Sequence, residues 1–121
     1  MSAGGFSPLP SLSSAGIDVE QLENSIKLAE AKVSLWQQKL ATWNNRGTAE
    51  RKLLAEAAPM LGLTALTVNG YVEAHKNFYE AEAQIMTVTI AEYKSQAAIA
   101  RYALETARSK ITSGRGIIGG V

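Results

Sequence analysis

The chain has 121 residues, with 12 Lys and Arg against 11 Asp and Glu, a single histidine and no cysteine. A length of this order makes one domain at most, and the net charge of +1 argues for neither wholesale nucleic-acid coating nor an acidic solvating tail. The absence of cysteine excludes disulfides, thiolate metal sites and cysteine nucleophiles together.

The opening residues, MSAGGFSPLPSLSSAG, lack the basic start and the continuous apolar core of a secretory signal. The expected location is therefore cytoplasmic, or within a particle assembled in the cytoplasm. Residues 1–16 are Gly, Ser and Pro separated by Phe6, Leu9 and Leu12, a composition read as an N-terminal arm, flexible or bound to a partner. At GIDVEQL the signals change together: Asp18 suits an N-cap, Gln21 the third position of a capping box, and Ile17 can pack on Leu22 as a hydrophobic staple.

From there Val19, Leu22, Ile26, Ala29, Val33, Trp36, Leu40 and Trp43 follow alternating steps of three and four, which is a heptad seam. Trp36 and Trp43 occupy successive d positions, where they are too large for a regular two-stranded seam. An irregular bundle with a small residue opposite each ring is expected. Leu28, Ala31 and Leu35 widen the apolar surface beyond one seam.

Asn44, Asn45 and Gly47 suggest a helix end or turn. Thr48 can cap a second helix containing Leu53, Leu54 and Ala57, which Pro59 interrupts. Residues 59–70, with Gly62 and Gly70, read as a corner of loose helical turns.

The longest pattern comes next: Val68, Val72, His75, Tyr79, Ala83, Met86, Ile90, Tyr93, Ala97, Ala100, Leu104, Ala107 and Ile111. A helix over residues 71–111 would be about 60 Å long at 1.5 Å per residue, too long for a globular monomer of this mass. The apolar run at residues 85–90 is broken by threonine and is far shorter than the roughly 20 residues that cross hydrocarbon, so no membrane span is expected. The alanines of SQAAIARYALETA allow close helix approach, and an antiparallel hairpin with Trp36 and Trp43 folded over them is one expected arrangement. The final TSGRGIIGGV reads as a glycine hinge with an apolar anchor of Ile117, Ile118 and Val121.

The expected fold class is all-α: an elongated helical hairpin or irregular bundle with coiled-coil-like seams and extended terminal arms. Its parts are an arm over residues 1–16, a helical domain over 17–112 with helices about 18–45, 48–58 and 68–111, and a glycine-rich tail over 113–121. The packing seam comprises Val19, Leu22, Ile26, Val33, Trp36, Leu40, Trp43, Tyr79, Met86, Ile90, Tyr93 and Leu104.

Few residues suggest chemistry. His75 lies on the apolar stripe with neither cysteine nor a second histidine to complete a zinc motif. Glu73, Glu80 and Glu82 could pair as carboxylates, but no Glu-x-x-His motif of the ferritin-like kind is present. SGRGIIGG lacks the lysine of a P-loop, and Tyr71, Tyr79, Tyr93 and Tyr102 show no partner base. Neither an enzyme activity nor a cofactor or metal is expected.

One charged feature stands out. Lys94, Arg101, Arg108 and Arg115 recur every seven residues with Lys110 beside them, and residues 94–115 hold five bases and one acid. Three readings are open: a solvated face near a helix C-terminus, a salt-bridging face toward acidic partner helices, or a row of phosphate contacts.

A rigid helical middle between apolar-dotted arms suits a non-enzymatic structural or adaptor subunit of a larger multi-copy assembly, such as a virion or secretion machine. The partners would be copies of itself or a larger scaffold, met by Phe6, Leu9, Leu12, Ile117, Ile118 and Val121. The alternatives are a small nucleic-acid-binding or packaging protein that uses the basic stripe, and an adaptor or chaperone for a helical client.

Overall fold

The computed structural model describes the backbone of residues 12–119 and the side chains of residues 19–111. The chain is all-α, two long helices paired as a hairpin: α1 spans Leu12–Ala57 and α2 spans Ala65–Gly119. Among the described residues no helix is long and apolar enough to cross a membrane.

The first helix differs from its expected bounds at both ends. It is already running at Leu12, so Asp18 and Gln21 lie inside it and do not cap it. Pro8 and Pro10 fall before that start, and the interior Gly16 costs only about 1 kcal/mol against alanine, which so long a helix tolerates.

Nor does the helix stop at residues 44–47 or restart at Thr48; α1 continues to Ala57. Thr48 turns its hydroxyl back to the carbonyl of Asn44 (3.1 Å), the bonding of a mid-helix threonine and not of a cap. Arg46–Glu50 and Lys52–Glu56 are ion pairs at the i,i+4 spacing that supports a continuous helix. Gly47 is buried because a neighbouring ring occupies the space a side chain would take: a Cβ there would lie 2.5 Å from Cδ2 of Tyr79.

The corner is made by Ala58–Leu61, a 3₁₀ turn with Pro59 in its first positions, followed by Gly62. Gly62 has φ 69°, the left-handed conformation that glycine adopts without strain. Its N–H bonds the Pro59 carbonyl at 3.3 Å, and that of Leu63 bonds Ala58 at 3.1 Å. Thr64 then caps α2, its hydroxyl accepting the N–H of Thr67 at 3.2 Å. The second helix begins at Ala65 and runs through most of the stretch expected as a glycine tail, to Gly119.

The described residues fall into two compact units, one made of those up to Ala31 with those from Lys94 onward, the other of residues 32–93. In the first, Ala29, Ala97 and Leu104 are buried, with Val19, Leu22, Ile26, Ala100, Ala103, Ala107 and Ile111 half-buried around them. Here aliphatic residues of α1 meet an alanine-rich face of α2. In the second, Gly47, Ala58, Tyr79 and Ile90 are buried, and Val33, Trp36, Leu40, Trp43, Leu54, Val68, Val72, Met86 and Tyr93 are half-buried. Here the contact is aromatic. Trp36 and Trp43 lie in the unit of residues 32–93, and the alanine-rich segment of α2 that begins at Ser95 lies in the other.

Candidate functional site

Among the described residues, the densest cluster of polar and aromatic contacts lies in the unit of residues 32–93. The spacing of α1 continues beyond Trp43 through Gly47, Glu50, Leu54 and Ala57, which brings Glu50 onto the inner face. The spacing of α2 delivers His75 and Tyr79 to the same place. Oε1 of Glu50 accepts from the hydroxyl of Tyr79 at 2.6 Å and from Nε2 of His75 at 2.9 Å, and Oε2 accepts from Nε of Arg46 at 3.1 Å.

Arg51 closes the far side of the imidazole, its guanidinium 3.2 Å from Nδ1 of His75. A guanidinium only donates, so Nδ1 accepts and the ring proton sits on Nε2, pointing at Glu50. Both nitrogens of His75 are thereby committed to protein partners.

Three donors around one carboxylate favour its charged form. The hydroxyl of Tyr79, then His75, then Arg46 hold the Glu50 carboxyl down at about 2. The same bond acts in reverse on its partner: donating to Glu50 pushes the Tyr79 hydroxyl above the usual tyrosine value.

An aromatic stack backs this cluster. Tyr79 lies between Trp43 (centroids 4.0 Å apart, planes at 19°) and His75 (4.4 Å, 16°). The indole N–H of Trp43 donates to the Tyr79 backbone carbonyl at 3.0 Å, and Phe78 meets Trp43 at 6.0 Å. This is the relation between Trp43 and Gly47: the glycine, one turn along α1, opens the space in which the tyrosine ring lies against the indole. Lys39 lies over the Trp36 ring at 4.5 Å, Arg46 over Trp43 at 6.0 Å and Lys32 over Tyr93 at 5.2 Å, three cation–π contacts at seven-residue intervals along α1.

Glu73 and Glu80 are exposed and Glu82 is half-buried; none of the three joins the cluster. Among the described residues no group of three His, Cys, Asp or Glu could hold a metal ion. Glu50, Arg46 and Arg51 were missed by sequence reasoning. The one signal that could have found Glu50 is its place in the three-and-four spacing of α1, hidden by reading Gly47 as a stop.

The basic stripe belongs to the other unit. Arg108 bonds Glu23 at 2.6 Å and Arg101 pairs with Glu30. The two acids are seven residues apart on α1 and the two arginines seven apart on α2, so the pairs are related by one antiparallel register. Lys94 and Lys110 are exposed. The side chains of Arg115, Leu12, Ile117 and Ile118, and Phe6, Leu9 and Val121 altogether, lie outside the described residues.

The fold and cluster define a helical hairpin pinned by a carboxylate-centred hydrogen-bond network. No family model, curated protein or solved structure matches the chain.

Proposed function

We propose that the chain is a non-enzymatic structural or adaptor subunit of a larger multi-copy assembly, of which a virion or a secretion machine is a natural setting. The observation that carries this reading is the amount of large apolar surface left in solvent: Met60 is 82% exposed, Leu66 83%, Ile99 67% and Tyr102 75%. Met60 lies in the corner and Leu66 just after it, Ile99 and Tyr102 are one turn apart on α2, and paired exposures of this size support a reading in which another chain covers them. The polar cluster supports the same reading, because each nitrogen of His75 and both oxygens of Glu50 are already engaged within the hairpin. General acid–base work needs a group within reach of a substrate proton, and these groups hold helices together instead.

The packaging alternative loses support from the pairing of Arg101 and Arg108 with Glu30 and Glu23, since each arginine already has an anionic partner. The deciding experiment is native mass spectrometry of the complex isolated from its source, with identification of the co-purifying chains. Several copies in one particle, or a stoichiometric protein scaffold, is the expected result. A free monomer, or tight DNA binding near physiological salt with affinity falling steeply as salt rises, would overturn it.

A further inference from the structure

Within residues 32–93 one face is left uncovered in an ordered way. Tyr71, Phe78 and Ile85 recur every seven residues along α2 and are 57%, 58% and 60% exposed. Glu92 takes the next place in that spacing, and Glu82 borders the stripe between Phe78 and Ile85. On α1 Leu35 is exposed in the same unit, near a run of Lys32, Lys39 and Arg46 at the same seven-residue interval.

Charge is divided between the two helices of this unit. Residues 32–57 hold five bases and two acids, net +3, whereas residues 65–93 hold four acids and one base, net −3. If two copies met through like helices, each contact would set equal charges of one sign together. Meeting α1 on α2, in both directions about a two-fold axis, sets opposite charges together twice.

Resting on the multi-copy reading above, we propose that this face is closed by a second copy of the same chain. The stripe of Tyr71, Phe78 and Ile85 on each copy lies along the Leu35 flank of the other copy's α1, and Glu82 and Glu92 face Lys32 and Lys39. Phe78 ties the surface to the interior, since one side of its ring packs near Trp43 while the rest faces solvent. The interface then continues the aromatic core outward, with charged residues at its rim.

The test is sedimentation equilibrium of the full chain over a concentration series, with circular dichroism to confirm that each variant keeps its helicity. The wild type is expected to dimerise, and the exposed-residue pair Tyr71→Ser with Ile85→Ser to raise the dissociation constant at least about tenfold. Charge reversal supplies the independent arm. Glu82→Lys with Glu92→Lys, and Lys32→Glu with Lys39→Glu, each weaken self-pairing, while an equimolar mixture of the two regains it as a heterodimer.

A wild type that stays monomeric at every concentration, or a dimer indifferent to all these changes, overturns the proposal. The subunit reading is judged separately by the chains that co-purify in the native complex. A monomer that still co-purifies with a scaffold sinks this pairing alone.

Discussion

The two units join the same two helices by different chemistry. In residues 32–93 the helices are held by directional contacts: a tyrosine between an indole and an imidazole, and a carboxylate taking three hydrogen bonds. In the other unit, aliphatic residues of α1 meet an alanine-rich face of α2, with exposed arginine–glutamate pairs at the rim. The first arrangement specifies which residue meets which and tolerates little change. The second relies on close approach of smooth faces, and its ion pairs define register more than they add stability. A regular three-and-four spacing therefore predicts that helices meet without saying how tightly.

The largest contrast should come from removing Tyr79. It is buried, and Tyr79→Ala takes away the ring that Trp43, His75 and Gly47 all contact, leaving a cavity and one donor fewer on Glu50. A loss of about 3–5 kcal/mol is expected from denaturant unfolding. A loss under about 1 kcal/mol would mean that the aromatic unit is no more specific than the alanine one.

A pair of glycine replacements sharpens the point. By helix propensity alone, alanine should improve a helical glycine by about 1 kcal/mol. Gly70→Ala in α2 meets nothing within 4 Å and should show that gain. At Gly47 the new Cβ would fall 2.5 Å from the Tyr79 ring, so Gly47→Ala should instead destabilise by about 1–3 kcal/mol through overpacking. Equal effects from the two replacements, in thermal or urea unfolding, would remove the case for a close aromatic contact.

Acid should act on the aromatic unit through Glu50. Its carboxyl is held at about 2 against an ordinary 4.5, so the folded state binds that proton less readily than the unfolded chain. The stability this adds is complete above about pH 4.5 and is lost as the pH falls through about 2. Urea midpoints measured across that window should fall for the wild type. In Glu50→Gln the midpoint should start lower and decline less, and parallel profiles for the two proteins would show that the three hydrogen bonds do not form in solution.

The smallest effect is expected at the rim of the other unit. Arg108→Gln and Arg101→Gln each remove an exposed ion pair and should cost at most about 1 kcal/mol, shrinking as salt is added. A larger, salt-independent loss would reverse the ranking of the two units.

Much of the fold was legible in the residues themselves because helix periodicity is a local property. The spacing of Val19 to Trp43 and of Val68 to Ile111 identified the inward positions, each of which is buried or half-buried in the structure. Pro59 and Gly62 marked the corner, since one cannot continue a helix and the other readily adopts a left-handed turn. Tertiary structure decided the role of Gly47, for a helical glycine and a terminating glycine look alike until a partner such as Tyr79 fills the space beside one of them. It also decided which acids the arginines meet and that Glu50 faces His75, because pairings between residues 25 to 85 positions apart depend on the register of two helices and not on either helix alone.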